Sequence, residues 1–227
     1  MNQKTAILIF ANSALSEAKS KPFKGSEALF QSLNQQTFKI AKNSGLPVIH
    51  FSESEQIGQT FGQRFTYALN TVYAQGYENV ITIGNDTPHL STKHILKTVK
   101  LLEENPIVLG PSSDGGFYLM GLNKAQFKTE TFLKLPWQTS ALNRSINRLV
   151  KKQNLTITYL EKLVDVDEAS DISLIFQVSK HINKGLKALL KQALYTINTS
   201  FFFSKDFYSY LFKTSVLNKG SPVLASF

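Results

Sequence analysis

An α/β fold is predicted, with a mostly parallel central sheet flanked by helices and a helical, aromatic-rich C-terminal extension. Three observations carry that expectation. Strand-like and helix-like segments alternate along residues 1–175, the pattern of parallel strands joined by crossover helices. The first apolar run, Ala6-Ile7-Leu8-Ile9-Phe10, is continuous where a half-exposed strand would alternate, as in a strand covered on both faces. Composition then shifts near residue 176: residues 176–227 hold seven Lys, no Arg and a single acid, Asp206, with seven of the 17 Phe and three of the eight Tyr.

The elements follow in order. Ser26 to Ser44 reads as a helix stopped by Gly45 and Pro47, and Pro47 to Phe51 as the second strand. Phe61, Phe65, Ala68 and Val72 share one face of a helix over Thr60 to Gln75, which Gly76 ends. Asn79 to Ile83 is the third strand. Ser91 or Thr92 caps a helix with the stripe Ile95, Val99, Leu102, closed by Asn105-Pro106. Ile107 to Leu109 is the fourth strand, Phe117 to Leu122 a further apolar run after a Gly-Gly turn, Ser140 to Lys152 a helix, and Leu155 to Leu160 an alternating strand. Residues 1–175 are expected to form one domain and residues 176–227 an extension packed on it.

Composition excludes several classes of function. With no cysteine there is no disulfide framework, thiolate metal site or cysteine nucleophile, a usage that suits a cytoplasmic location. The N-terminal apolar run is too short for a signal peptide, and no stretch reaches the roughly 18 apolar residues of a membrane span. The net charge of +9 invites a nucleic-acid reading, but residues 176–227 supply +6 of it and no nucleic-acid module is recognisable. The sequence has no GxGxxG or Walker A loop, and His50, His89, His94 and His181 show no metal-ligand spacing.

In open sheets of this kind ligands bind beyond the carboxyl ends of the strands, where loops converge, which directs attention to Ala11 to Lys24, Gly84 to Pro88 and Gly110 to Gly116. The run Val164 to Asp171 adds four acids in eight residues. Asp86, between Gly84 and Pro88, ends the third strand and can aim a hard carboxylate at a divalent cation; it equally fits an Asx-type turn. Asp114-Gly115-Gly116 lets backbone approach a ligand closely while Asp114 meets sugar hydroxyls, or is a plain turn. Asp165 and Asp167 lie on the same side of an extended segment and could face one cation, or Asp167 could cap the helix that follows.

The order of these motifs is more informative than any one of them. Gln59-Thr60-Phe61-Gly62-Gln63-Arg64-Phe65, Gly84-Asn85-Asp86-Thr87-Pro88-His89-Leu90, Leu109 to Leu122 with its Asp-Gly-Gly-Phe-Tyr-Leu, Pro136-Trp137-Gln138-Thr139-Ser140 and Asp165-Val166-Asp167 appear in succession. Over roughly residues 4–180 the chain resembles the bacterial radical-SAM/selenodomain-associated transferase 1 family, of the glycosyltransferase-A-type nucleotide-diphospho-sugar transferases. The resemblance implies a Rossmann-like glycosyltransferase-A fold and a metal-dependent transfer of a glycosyl or nucleotidyl group from a nucleotide or nucleotide-sugar to a small-molecule acceptor. It implies Mg²⁺ or Mn²⁺ on Asp86 and Asp167, with Asp165 as substitute, and Asp86 and Lys19 as catalytic residues. Ala11, Lys19, Lys21, Arg64 and Asp86 would bind the nucleotide; Asp114, Gly115, Gly116, Trp137 and Thr139 would bind the sugar or acceptor.

The chain departs from that family after the first strand. A Pro-Gly turn and a Lys-Thr-Arg-Leu stretch are replaced by Asn12 to Phe23, where Lys19 and Lys21 stand for the basic positions, the glycine is absent and Glu17 adds negative charge. The acid expected after Gly62 is replaced by Gln63. A nucleotide-binding or scaffold protein with weakened catalysis is therefore the alternative. In the extension, Leu186, Leu189, Leu190, Leu194 and Ile197 form one helical face and Lys184, Lys187 and Lys191 another, a pattern that fits packing on the parent domain better than a membrane surface. The Phe/Tyr cluster from Phe201 to Phe212 suits base stacking, a cover for the cleft or a homodimer contact.

Overall fold

The computed structural model describes residues 4–168, 170–178 and 182–195. Six strands form one sheet in the order β2-β1-β3-β5-β4-β6: β1 (Thr5–Phe10), β2 (Val48–Phe51), β3 (Asn79–Ile83), β4 (Ile107–Pro111), β5 (Phe117–Asn123) and β6 (Thr158–Tyr159). β1 pairs in parallel with β2 and β3, and β4 with β6, so the sheet is mostly parallel. β5 is the exception to the crossover pattern. It inserts between β3 and β4 and runs antiparallel to both, because only residues 112–116 join it to β4 and so short a link makes a hairpin.

Helices α1 (Ala14–Ser20), α2 (Ser26–Lys42), α3 (Phe61–Ala74), α4 (Thr92–Leu101), α5 (Thr129–Leu133), α6 (Leu142–Lys152), α7 (Asp171–Val178) and α8 (184–195) complete the described chain. One sheet face packs Leu8, Val80, Leu109 and Leu122 against Phe65, Leu69 and Val72 of α3 and Ile146 and Val150 of α6. The other packs Ile7, Ile81 and Val108 against Ala41 of α2 and Ile95 of α4. Each fully buried aliphatic side chain of this kind is worth about 1.5–3 kcal/mol, which fixes the strand order and thereby the strand ends.

Two helices were not legible in the sequence. The segment read as a loop from Ala11 to Lys24 contains α1, whose start is capped by Ser13 Oγ accepting from the Ser16 N–H; α5 was likewise unread. Ser91 caps α4 and shares a reciprocal box with His94. Gln63 closes a capping box on α3, where its Oε1 accepts from the Thr60 N–H and its own N–H donates to Thr60 Oγ1. A third core joins Leu29, Phe30 and Leu33 of α2 to Val164, Val166, Ile172 and Ile175, and to Leu186, Leu190 and Ala193 of α8. The apolar face of α8 is thus turned into the protein. Position 176 lies within α7, so composition changes inside a helix. Ile197 and the cluster from Phe201 to Phe212 lie outside the described residues. Among those described, no helix is long and apolar enough to cross a membrane.

Candidate functional site

A cleft of about 690 Å³ opens beyond the carboxyl ends of β1, β3 and β4. Ala11, Lys21, Arg64, Asp86, Asp114, Gly116, Trp137, Thr139, Asp165 and Asp167 all line it. Of the residues anticipated for the site, Lys19 and Gly115 do not. Lys19 is exposed on α1, and two residues along a helix amount to about 200° of rotation, so Lys19 and Lys21 diverge. Lys21, the residue that terminates α1, is the lysine that enters the cleft.

The charged rim is organised around one ammonium group. Lys21 Nζ donates to Asp86 Oδ2 at 3.0 Å, to Asp167 Oδ1 at 2.8 Å and to the Val166 carbonyl at 3.0 Å, with Glu17 Oε2 at 3.8 Å. The Phe30 ring lies beneath it, 5.4 Å from centroid to Nζ. Backbone pairing brings these groups together, since the Val166 N–H donates to the Asp86 carbonyl at 2.8 Å. Burial opposes the charge on Lys21, but Asp86 and Asp167 overcome it and raise its pKa. Burial also raises Glu17 and Asp167 above the usual carboxylate range, against the pull of Lys21. Several acids share one cation, so each carboxylate receives only part of its field.

Asp165 does a different job from Asp167. Its Oδ1 accepts from Thr87 Oγ1 at 2.5 Å, and burial followed by the nearby Asp86 pushes its carboxyl up to about 8. Asp165 thus meets Thr87 while Asp167 meets Lys21. Nor does the Asp167 side chain cap α7. Instead Asp171, the first residue of α7, turns its carboxylate back to accept from the Asp167 and Glu168 N–H groups at 3.0 and 2.7 Å.

Among the described residues, no three or more His, Cys, Asp or Glu are gathered closely enough to hold a metal ion. Two carboxylate oxygens and a carbonyl converging on one point nevertheless form a hard-oxygen donor set. Such a set suits Mg²⁺ or Mn²⁺, which commonly takes one or two carboxylates and completes its shell with water and substrate phosphate. The residues present fit that cation, with Lys21 Nζ at the point of convergence.

The opposite rim is aromatic and structural. Phe61, Phe65, Phe117 and Phe132 surround Trp137, whose indole N–H donates to the Phe132 carbonyl at 2.7 Å. A Cβ on Gly62 would stand 2.5 Å from Trp137 Cδ1, so this glycine is required by close approach. Asp114 accepts from the Gly116 N–H at 2.9 Å and from the Ser112 hydroxyl, forming a turn that still faces the cleft. Gly115 adopts φ +95, and its carbonyl, like that of Gly116, accepts from Asn143 Nδ2. Thr139 Oγ1 donates to the Pro136 carbonyl. Arg64 donates to the Gln59 carbonyl at 3.3 Å, and the carbonyl of Ala11 lies 3.0 Å from His50 Nε2.

Several residues beyond those anticipated for the site also line the cleft. Asn85 Nδ2 donates to Asn34 Oδ1 at 2.7 Å and lies 3.4 Å from the Asn12 carbonyl, tying the ends of β1 and β3 together. Glu17, buried in α1, and Gln138, with φ 57, also line the cleft. A left-handed glutamine beside Trp137 is the signature of a constrained turn. The Asn-Asp pair after β3 and the Trp-Gln-Thr turn were visible as motifs; their partners across the fold were not.

Comparisons with known proteins agree with this geometry at the level of fold. A family model described as "Uncharacterized protein conserved in bacteria (DUF2064)" matches residues 29–139, a span that includes Asp86, Asp114 and Trp137. A 2-phospho-L-lactate guanylyltransferase from Methanocaldococcus sp. (strain FS406-22) is 26% identical over 155 residues, 61% of this chain. The match spans 64% of that protein's length. Among solved structures, a protein assigned to the nucleotide-diphospho-sugar transferases from Desulfovibrio desulfuricans G20 superposes with TM-score 0.71 at 19% identity, over 85% of this chain and 99% of that one. The 4-diphosphocytidyl-2C-methyl-D-erythritol synthase of Anaerococcus prevotii DSM 20548 gives 0.52 at 12%, over 77% and 97%. The chain shares the glycosyltransferase-A-type fold of these structures.

Proposed function

We propose that this chain is a metal-dependent transferase that binds a nucleoside triphosphate or nucleotide-sugar in the cleft and passes its nucleotidyl or glycosyl group to a small acceptor. The observation that carries this reading is the convergence of Asp86 and Asp167 on a single cationic position at the ends of the strands. The match to a guanylyltransferase supports it and favours a guanine nucleotide; the motifs shared with the radical-SAM/selenodomain-associated transferases support a nucleotide-dependent transfer. Mg²⁺ or Mn²⁺ held by Asp86 and Asp167 would neutralise charge on the leaving phosphate. Lys21 and Arg64, the cationic side chains on the cleft wall, bind phosphate oxygens. Asn12 and Asn85, through their mutual contact, fix the backbone against which the nucleotide lies. Asp114, the Gly115-Gly116 turn, Trp137 and Thr139 shape the acceptor side.

Melting temperature against a panel of nucleotides and nucleotide-sugars, with and without Mn²⁺, tests this directly. A Mn²⁺-dependent rise with a guanine nucleotide, lost in Asp86→Ala, is expected; no shift with any nucleotide overturns the reading. Assaying released pyrophosphate against released nucleoside diphosphate separates nucleotidyl from glycosyl transfer.

A second reading, nucleotide binding with weakened turnover, is favoured by one observation. The backbone after β1, where a glycine-rich loop would offer N–H groups to phosphate, is wound into α1 and tied at its start by Glu53, which accepts from the Ser13 N–H at 2.6 Å. Buried Glu17 adds a carboxylate to the same wall. Binding without product release identifies this case.

A further inference from the structure

We propose that Lys21 is a built-in competitor for the divalent cation: its ammonium occupies the seat between Asp86 and Asp167, and metal fills that seat only when Lys21 leaves it. The geometry is that of three hard-oxygen donors converging on one point. Three oxygens from three residues, Asp86 Oδ2, Asp167 Oδ1 and the Val166 carbonyl, lie 2.8–3.0 Å from one nitrogen. A divalent cation binds the same oxygens at about 2.0–2.6 Å. An ammonium within hydrogen-bond reach of all three would then lie close to a doubly charged ion in a partly desolvated wall, where repulsion between like charges is strong. Both cannot hold the pair at once.

Lys21 is well built for the role of occupant. Its side chain is 17% exposed, rests over Phe30 and is anchored at the end of α1. It is also built to leave. Its flexible four-carbon stem can swing into the open cleft, where it already forms part of the wall. The consequence rests on the nucleotide reading above: phosphates entering the cleft offer Lys21 a richer set of anionic oxygens, so nucleotide and metal bind with positive coupling. By linkage each tightens the other by the same factor.

The experiment is a titration of the full chain with Mn²⁺ alone, bound and free metal being distinguished by electron paramagnetic resonance. Weak binding is expected for the wild type and at least about tenfold tighter binding for Lys21→Met, which removes the competing charge. Lys21→Arg, which keeps the charge, stays weak, and Lys21→Met with Asp167→Asn loses the gain. Lys21→Gln, which keeps a hydrogen-bond donor without the charge, serves if Lys21→Met fails to fold. Equal Mn²⁺ affinity in the wild type and the neutral variants overturns the proposal, because metal and ammonium would then be using different oxygens. The nucleotide arm is read separately: GTP affinity with and without Mn²⁺, followed by the fluorescence of the chain's single tryptophan, Trp137. Tighter Mn²⁺ binding in Lys21→Met without any response to GTP supports the competition and contradicts only the nucleotide reading.

Discussion

The two rims of the cleft are held by different physics. On the aromatic rim, Trp137 is locked by four phenylalanine rings, a backbone hydrogen bond and a glycine that leaves room for the indole. On the charged rim, Asp86 and Asp167 are held by one long lysine side chain that reaches them from α1. The first is a packed wall with one arrangement; the second is a set of charges that a ligand can redistribute. Substitutions on the aromatic rim should therefore appear as stability, and those on the charged rim as ligand binding and pH dependence.

The largest expected loss of stability breaks the packed wall. Trp137→Ala should cost about 3 kcal/mol in urea unfolding followed by circular dichroism, and a loss below about 1 kcal/mol would mean the ring is there for a ligand and not for packing. Next comes Asp165. An acid whose pKa is raised from its ordinary value to about 8 in the folded protein keeps its proton there while the unfolded chain has lost it. The metal-free protein should consequently lose stability as pH rises from about 4 to 8. Asp165→Asn should flatten this slope and raise the melting temperature of the metal-free protein at pH 8. An unchanged slope would place the proton elsewhere.

Tyr118→Phe removes a hydroxyl that donates to the Glu161 carbonyl at 3.0 Å and should cost about 1 kcal/mol in the same unfolding measurement. The smallest effect sharpens the contrast within α1. Lys19→Ala should stay within about 0.5 kcal/mol of wild type and leave any nucleotide-induced melting shift intact, whereas Lys21→Ala should change it. Equal loss in both variants would show that the two lysines act together, as the family resemblance implied.

These particulars show what a sequence makes legible. β3 was legible to the residue because the β-branched Val80, Ile81, Thr82 and Ile83 run between Asn79 and Gly84. The cleft was legible to the extent that strand ends mark it, which pointed to Asp86, while Asp167 was picked out by the run of acids from Val164 to Asp171. The antiparallel insertion of β5 was hidden because pairing partners are chosen by contacts distant in sequence. The divergence of Lys19 from Lys21 was hidden because α1 is only seven residues long, mostly polar, and depends on the Ser13 cap. Asp165 and Asp167 share a side in an ideal strand, yet one meets Thr87 and the other Lys21. No local pattern encodes that separation.

A crystal structure of the chain with Mn²⁺ and a non-hydrolysable guanine nucleotide decides whether the two aspartates hold the metal once Lys21 has left them. The expected result is an anomalous manganese peak between Asp86 and Asp167, with phosphate oxygens completing its shell and Lys21 Nζ moved onto a phosphate. A nucleotide bound outside the cleft, or a cleft-bound nucleotide with Lys21 still between the two aspartates and no manganese there, would contradict it.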